Sequence, residues 1–225
     1  FIHGVMNTDN TAISGETIDF GPCAFMDYYD PRQVYSFIDE GGRYSYINQG
    51  KVMLWNLSKF AETLLPLLSS DSEEAKKDVI ECLELFPNYF EEKWLNNMRI
   101  KMGFLKKYKE DVKLISEFLE ILKSEKMDFT QSFRELSDLI KNRENKYFQK
   151  NIKNISKFNS WSSKWTERLS KENLKLSEIS FQMNKINPVY IPRNHLVEKA
   201  IEHAVFKNNF LTMNKLLDVI QDPFT

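Results

Sequence analysis

The feature that most constrains the fold of this chain is the helical spacing of its apolar residues. From residue 52 onward, apolar side chains recur three and four positions apart, which is the pattern of one buried face of an α-helix. The pattern predicts helices over residues 52–68, 111–122 and 130–140, and two more that begin at Asp71 and at Pro87. It also predicts a helical hairpin near 194–220. The hairpin residues expected to face inward are Leu196, Ala200, Ile201, Leu211, Leu216 and Ile220.

Residues 141–187 combine clustered lysines, including the run at 141–146, with aromatic side chains. Such a mixture can form a nucleic-acid-binding surface. We favour a simpler interpretation, because Trp161 and Trp165 are four positions apart and would lie on one face of a helix. The lysines would then occupy the solvated faces of the same helix.

The first 21 residues depart from the helical pattern. Residues 3–10 read HGVMNTDN, and Asp19 begins a DFG tripeptide. Between them, Ser14-Gly15-Glu16 is a turn signal flanked by short β-prone runs, which predicts a tight β-hairpin. The hairpin would bring the amide of Asn10 and the carboxylate of Asp19 together, and oxygen ligands of these kinds suit Mg²⁺.

The two motifs also have the order and length of a protein kinase centre, H-R-D-x-x-x-x-N followed by D-F-G. His3 and Asn10 occupy the first and last positions, whereas Val5 stands where a kinase places its proton-accepting Asp. Asp9 is therefore a candidate substitute base, or a carboxylate that orients the loop. Either motif alone would be weak, since DFG occurs by chance and Asn-Thr-Asp-Asn is typical of surface turns.

The quoted residues resemble the SelO family of pseudokinases. HGVMNTDN and ISGETIDFGPCAFMDYYDP carry the most specific likeness. It continues with GRYSYINQ at 42–49, LWNL at 54–57, MDFTQSFREL at 127–136 and NPVYIPRN at 187–194. The resemblance therefore extends over nearly the whole chain, with a more diverged middle.

This resemblance implies a kinase-like fold that binds ATP in a flipped orientation. It implies transfer of AMP from ATP to Ser, Thr or Tyr hydroxyls of protein substrates. Asn10 and Asp19 would hold Mg²⁺, Asp19 would also face the nucleotide phosphates, and Asp9 would accept the proton. Thr11-Ala12 differs from the more usual Met-Ser of the family, at a position that looks peripheral to the metal.

The resemblance further implies that residues 1–225 form a single α-rich domain. This domain would be the C-terminal lobe of a kinase-like fold, with a short β-hairpin at its N-terminal edge and a helical family-specific extension. The glycine-rich loop, the phosphate-binding Lys and its Glu partner would belong to an N-terminal lobe that is absent. Because half a cleft positions ATP poorly, we expect negligible activity from the chain alone. The alternatives are an ordinary phosphotransferase, disfavoured by Val5, and a non-catalytic fragment that binds other proteins.

Composition adds few constraints on function. The formal net charge is −1, from 31 basic and 32 acidic residues, so there is no general case for nucleic-acid or membrane binding. Cys23 and Cys82 are far apart, which favours a reduced intracellular setting. The resemblance implies a bacterial cytoplasm or a eukaryotic mitochondrion, and no targeting segment is visible. We interpret Cys23 as a packing residue, and His195 and His203 as ordinary structural or surface histidines.

Overall fold

The computed structural model describes residues 1–18, 20–142 and 145–225, and it confirms a mainly helical fold. The helices are α1 (Gln49–Leu68), α2 (Ser72–Lys101), α3 (Asp111–Ser124), α4 (Phe129–Asn142), α5 (Lys146–Asn151), α6 (Ile155–Ser170), α7 (Leu176–Asn184), α8 (Asn194–Lys207) and α9 (Leu211–Gln221). Short 3₁₀ turns occur at Thr8–Asn10 and Tyr46–Asn48.

Contacts within the chain divide it into two compact units. The first comprises Phe1–Ala24 and Pro31–Trp94, and the second comprises Phe25–Asp30 and Leu95–Thr225. The six residues Phe25–Asp30 therefore belong to the second unit, whereas the chain directly before and after them belongs to the first.

The expectation that a new helix begins at Pro87 is wrong. Pro87 lies inside α2, which runs without a break from Ser72 to Lys101. A proline in a helix interior lacks the N–H of one backbone hydrogen bond and normally costs about 3 kcal/mol. The helix nevertheless continues past Pro87, where the Phe86 and Phe90 rings are 5.9 Å apart and the Phe90 ring lies against Gly50 of α1.

The second unit is built around an aromatic core, and the predicted packing stripe is confirmed. Trp161 and Trp165 of α6 are both almost fully buried and stack with ring centroids 5.6 Å apart. Their indole N–H groups donate to the carbonyl oxygens of Leu114 (2.9 Å) and Met102 (3.0 Å). Phe118 of α3 stacks on Trp161 at 4.5 Å. These aromatic side chains belong to the core rather than to a nucleic-acid-binding surface.

A buried ionic cluster fixes the loop that precedes α3. The Asp111 carboxylate is fully buried and accepts from Arg99 Nε at 2.9 Å and from Arg168 Nε at 2.6 Å. Arg168 also donates to Glu172 Oε1 at 2.6 Å. Burial alone would lower the pKa of Arg168, but the hydrogen bonds that it donates to the Asp111 and Glu172 carboxylates raise the pKa above its ordinary value. Its guanidinium lies 4.3 Å from the centre of the Tyr108 ring.

The predicted C-terminal helical hairpin is confirmed as α8 and α9, although most of its expected inward face is not buried. Ala200 is buried, and Leu216 and Ile220 are partly covered. The expectation is wrong for Leu196, Ile201 and Leu211, each more than a third exposed. Two antiparallel helices share only a narrow strip, so a pair that packs mainly on itself leaves its remaining apolar residues at the surface.

The predicted β-hairpin at residues 11–18 is also wrong. The described residues there form one isolated antiparallel bridge, between Thr11 and Thr17. To extend this bridge into a two-stranded ladder, Asn10 would have to pair with the opposite strand. Asn10 instead belongs to the 3₁₀ turn Thr8–Asn10, and its backbone N–H donates to Asn7 O at 3.1 Å.

In the described ranges, no helix is long and apolar enough to cross a bilayer. Arg143 and Glu144, in the predicted lysine-rich run, lie outside the described residues.

Candidate functional site

The motif at residues 3–10 begins next to a bridge that joins the two ends of the N-terminal segment. Ile2 N–H donates to Ala24 O at 2.9 Å, and Ala24 N–H donates back to Ile2 O at 3.0 Å. Ile2 is fully buried. This antiparallel bridge places the residue before His3 beside the residues that follow the DFG tripeptide.

Gly4 makes the closest approach between the two motifs. It has φ of +89°, and a Cβ at this position would lie 2.6 Å from the Pro22 carbonyl oxygen. Only glycine satisfies both the left-handed conformation and this backbone contact. In the kinase motif, this position holds Arg. The replacement of Arg by Gly4 is therefore what allows residues 3–10 to pack against Pro22.

The 3₁₀ turn Thr8–Asn10 presents the two candidate residues that the structure describes. Asn10 is half-buried, and its Nδ2 donates to the Val5 carbonyl oxygen at 3.2 Å. Because the N–H side of this amide is engaged by Val5, Oδ1 is the atom available to a cation, and an amide oxygen is a suitable ligand for Mg²⁺. Asp9 is exposed on the same turn, so its carboxylate is accessible from solvent.

Helix α1 supports the loop with two polar side chains. Gln49 accepts from His3 N–H at 3.1 Å, and Asn56 donates through Nδ2 to Met6 O at 3.0 Å and to Thr11 Oγ1 at 2.7 Å. Asn56 is buried although it lies on a helix face with Val52. Neither residue was predicted as part of the site. The sequence signal for a buried Asn56 is its position four residues after Val52, on the same helix face. That signal does not identify its hydrogen-bond partners, which are 45 to 50 residues away in sequence.

A turn at residues 39–44 contacts the loop from another side. Asp39 accepts from the backbone N–H groups of Arg43 and Tyr44, both at 2.8 Å. The Tyr44 hydroxyl donates to Asn7 Oδ1. The exposed Arg43 guanidinium lies 4.7 Å from the centre of the Trp55 ring, where a cation–π attraction holds it.

Asp19, the second predicted metal ligand, lies outside the described residues. Along the chain, the Thr11–Thr17 bridge lies before it and the Ile2–Ala24 bridge lies after it. After it, the Cys23 thiol donates to the Phe20 carbonyl oxygen at 3.2 Å, and Cys23 is half-buried. The structure therefore brings together the segments that flank both candidate ligands.

The remaining polar groups at the loop are compatible with a ligand site. Over residues 1–18, 20–142 and 145–225, His3 Nε2 and Asn56 Oδ1 are buried without a hydrogen-bond partner. Such groups are rare in folded proteins and call for an explanation such as a further partner. No cluster of three or more His, Cys, Asp or Glu side chains with metal-binding geometry occurs in these ranges. The predicted ligand set, one amide and one carboxylate, is not of that type.

A kinase-like motif without the usual base packs against the residues that follow DFG, and this combination suggests the class of nucleotide-dependent transferases. The family model described as protein adenylyltransferase SelO matches residues 1–221. The chain therefore belongs to the SelO family.

Curated relatives match the chain over its full length. The protein nucleotidyltransferase YdiU of Halalkalibacterium halodurans is 44% identical over 224 residues, which is 100% of this chain and 44% of the relative. The proteins of the same name from Clostridium botulinum and Pelagibacter ubique are 45% and 46% identical, again over 100% of this chain and 44% and 45% of their own lengths. The chain thus spans less than half the length of these relatives.

Proposed function

We propose that this chain is the C-terminal catalytic portion of a protein adenylyltransferase, which transfers AMP from ATP to Ser, Thr or Tyr hydroxyls of other proteins. The observation that carries the proposal is the packing of HGVMNTDN against the segment after DFG, through the Ile2–Ala24 bridge and the Gly4–Pro22 contact. Family membership over residues 1–221 supports the reaction class. In this proposal, residues 1–225 form one α-rich domain of a kinase-like C-terminal lobe.

Asn10 and Asp19 are the proposed holders of Mg²⁺, and Asp19 also faces the nucleotide phosphates. When bound, the ion would neutralise charge that develops on the phosphates as pyrophosphate leaves. The contribution of the chain itself is to orient Asn10. The Asn10–Val5 hydrogen bond fixes the plane of the amide, and Asn56 holds the Met6 carbonyl from α1.

Asp9 is the proposed proton acceptor. It neighbours Asn10 on the 3₁₀ turn, is exposed, and carries the oxygen that Val5 lacks. A carboxylate beside the metal ligand can take the proton of an incoming hydroxyl that attacks the α-phosphorus. General-base groups typically contribute about 10²–10⁴-fold to rate, so Asp9→Asn should lower kcat within that range without abolishing nucleotide binding.

The test uses a SelO protein of full family length that carries these residues. It is incubated with ATP labelled at either the α- or the γ-phosphorus and with a protein substrate, and the product is analysed by mass spectrometry. We expect the α label and the mass of AMP on the substrate. Transfer of the γ label would instead establish a phosphotransferase, and no transfer of either label would favour a non-catalytic interaction protein.

Site variants separate the proposed roles. Asp19→Ala and Asn10→Ala should each abolish transfer, whereas Asp78→Asn, which alters an exposed carboxylate of α2, is a control that should leave transfer unchanged. Full activity in Asp19→Ala would overturn the metal assignment.

We further propose that residues 1–225 alone are inactive, since positioning of ATP needs groups on both sides of a cleft. Mg²⁺-dependent labelling of a substrate by this chain alone would contradict that.

A further inference from the structure

The loop at residues 36–44 of the first unit is fixed by hydrogen bonds, although it belongs to no helix or strand. Asp39 N–H donates to Ser36 O at 3.1 Å, and Gly42 N–H donates to Asp39 O at 3.2 Å. Both oxygens of the Asp39 carboxylate accept backbone N–H groups, and Asn48 Nδ2 donates to Gly42 O at 2.8 Å. Loops that a scaffold holds in this way are common carriers of binding residues.

Arg43 extends from this loop with a charge that no carboxylate neutralises in the described part of the chain. Its exposed guanidinium lies 4.7 Å from the centre of the Trp55 ring and 5.7 Å from the centre of the Tyr44 ring. The exposed Glu40 of the same loop forms no ion pair with it among those residues. The two rings orient the guanidinium by cation–π attraction and leave its N–H groups available, so it is prepared to bind the two oxygens of a carboxylate.

Exposed apolar side chains accompany Arg43 on the same loop and on α1. Phe37 and Ile38 are the central residues of the turn at 36–39, and they are 93% and 71% exposed, while Trp55 is 42% exposed. Turns favour Gly, Pro, Asn, Asp and Ser, so two bulky apolar residues at such a position are unusual. Arginine and aromatic residues are also enriched at the centres of protein interfaces. Phe37, Ile38, Arg43 and Trp55 are called the Arg43 surface below.

The Arg43 surface is joined to the candidate site within the first unit. Tyr44, the residue after Arg43, donates its hydroxyl to Asn7 Oδ1. Asn7 precedes Asp9, the proposed proton acceptor, by two residues in the loop at 3–10. A protein segment whose hydroxyl group reaches Asp9 therefore passes close to the loop that carries Arg43.

We propose that the Arg43 surface binds an acidic segment of the protein substrate. Arg43 pairs with a carboxylate side chain close to the acceptor hydroxyl, and an apolar residue of the same segment covers Phe37 and Ile38. Charge complementarity selects the acidic segment, since Arg43 is a cation without a carboxylate partner in the described residues. The triphosphate of the nucleotide is the poorer match, because the exposed apolar side chains of this surface offer it no polar contact. The inference rests on the proposed function and names the kind of segment that receives AMP.

The first test measures peptide binding by fluorescence anisotropy, in a SelO protein of full family length that carries these residues. The probe is a fluorescein-labelled peptide in which a serine is flanked on both sides by glutamate and leucine, and a matched peptide carries glutamine in place of glutamate. We expect the glutamate peptide to bind more tightly. Arg43→Gln should raise the Kd of that peptide by about tenfold, equivalent to about 1.4 kcal/mol, and leave the Kd of the glutamine peptide unchanged.

Further variants separate an oriented pairing from a general effect of charge. Arg43→Lys keeps the charge but loses the planar guanidinium, so it should recover only part of the affinity. Arg43→Glu should reverse the preference and favour a peptide that carries lysine in place of glutamate. Lys77→Gln is the matched control, because it removes an exposed cation of α2 in the same unit, and it should leave both Kd values unchanged. Equal binding of the glutamate and glutamine peptides by the wild-type protein, or no binding of either, would overturn the proposal.

Steady-state kinetics of AMP transfer give a second readout in the same protein. Arg43→Gln should raise the KM for the glutamate peptide by about tenfold and leave the KM for ATP unchanged. A raised KM for ATP with an unchanged KM for the peptide would assign Arg43 to the nucleotide and overturn the proposal. Peptide binding that depends on Arg43 in a protein that transfers no AMP would count against the proposed function but not against the Arg43 surface, so the two failures are distinguishable.

Discussion

Substitution of Gly4 by alanine tests the contact that joins the two motifs. At φ +89° an alanine incurs left-handed strain of about 1–2 kcal/mol, and its Cβ would meet the Pro22 carbonyl oxygen at 2.6 Å. Crowding in a packed region adds about 1–3 kcal/mol, since Pro22 belongs to a backbone held by the Ile2–Ala24 bridge. We therefore expect Gly4→Ala to lower the free energy of unfolding by about 2–5 kcal/mol.

Gly15→Ala provides a matched control. Gly15 has φ of +77°, but nothing lies within 4 Å of the Cβ that would be added. It should therefore show only the strain, about 1–2 kcal/mol. The assay is urea denaturation of both variants, together with amide exchange at Ile2 and Ala24, which should accelerate in Gly4→Ala alone. Equal destabilisation by the two substitutions, with the Ile2–Ala24 bridge intact in both, would refute the close contact between the motifs.

Three further outcomes concern the second unit. Asp111→Ala should lower the free energy of unfolding of this unit by about 3–5 kcal/mol in urea denaturation, because the buried charges of Arg99 and Arg168 then lack their shared carboxylate. A loss below about 1 kcal/mol would contradict the buried ion pairs of Asp111. Trp165→Phe should cost about 1–3 kcal/mol, as the buried Met102 carbonyl loses its indole donor, and unchanged stability would count against that hydrogen bond. Burial lowers the pKa of Lys101 to about 8. The folded state therefore binds this proton less tightly than the unfolded chain, and stability should rise as the pH increases from about 8 towards the ordinary lysine pKa. Denaturation at several pH values checks this, and a Lys101→Met variant should lack that rise.

Helices of the second unit were predictable because their signal is local. The spacing of Trp161 and Trp165 placed both on one buried face, and the hairpin of α8 and α9 followed from the apolar pattern near the end of the chain. The continuity of α2 was not predictable in the same way. Pro87 favours a helix start in isolation, but in the folded chain it lies inside α2, next to the Phe86–Phe90 ring pair.

Features that depend on distant partners could not be read from local pattern. The carboxylate of Asp111 is joined to Arg168, 57 residues later, and nothing in the spacing of either residue indicates the other. The same holds for Asn56 and its contact with Met6. At the candidate site, the pairing of Asn10 with Asp19 stays a prediction, since Asp19 lies outside the described residues. The β-hairpin failed because the 3₁₀ turn at Thr8–Asn10 competes for the backbone groups that a second strand pair would need.

The most direct measurement for the proposed site is the position of a single Mn²⁺ ion in crystals of the full-length protein with a non-hydrolysable ATP analogue, located by its anomalous scattering. The account expects one ion bound to both Asn10 Oδ1 and an Asp19 carboxylate oxygen, at about 2.0–2.3 Å from each. An ion held by other residues, with Asn10 and Asp19 directed away from it, would contradict the account.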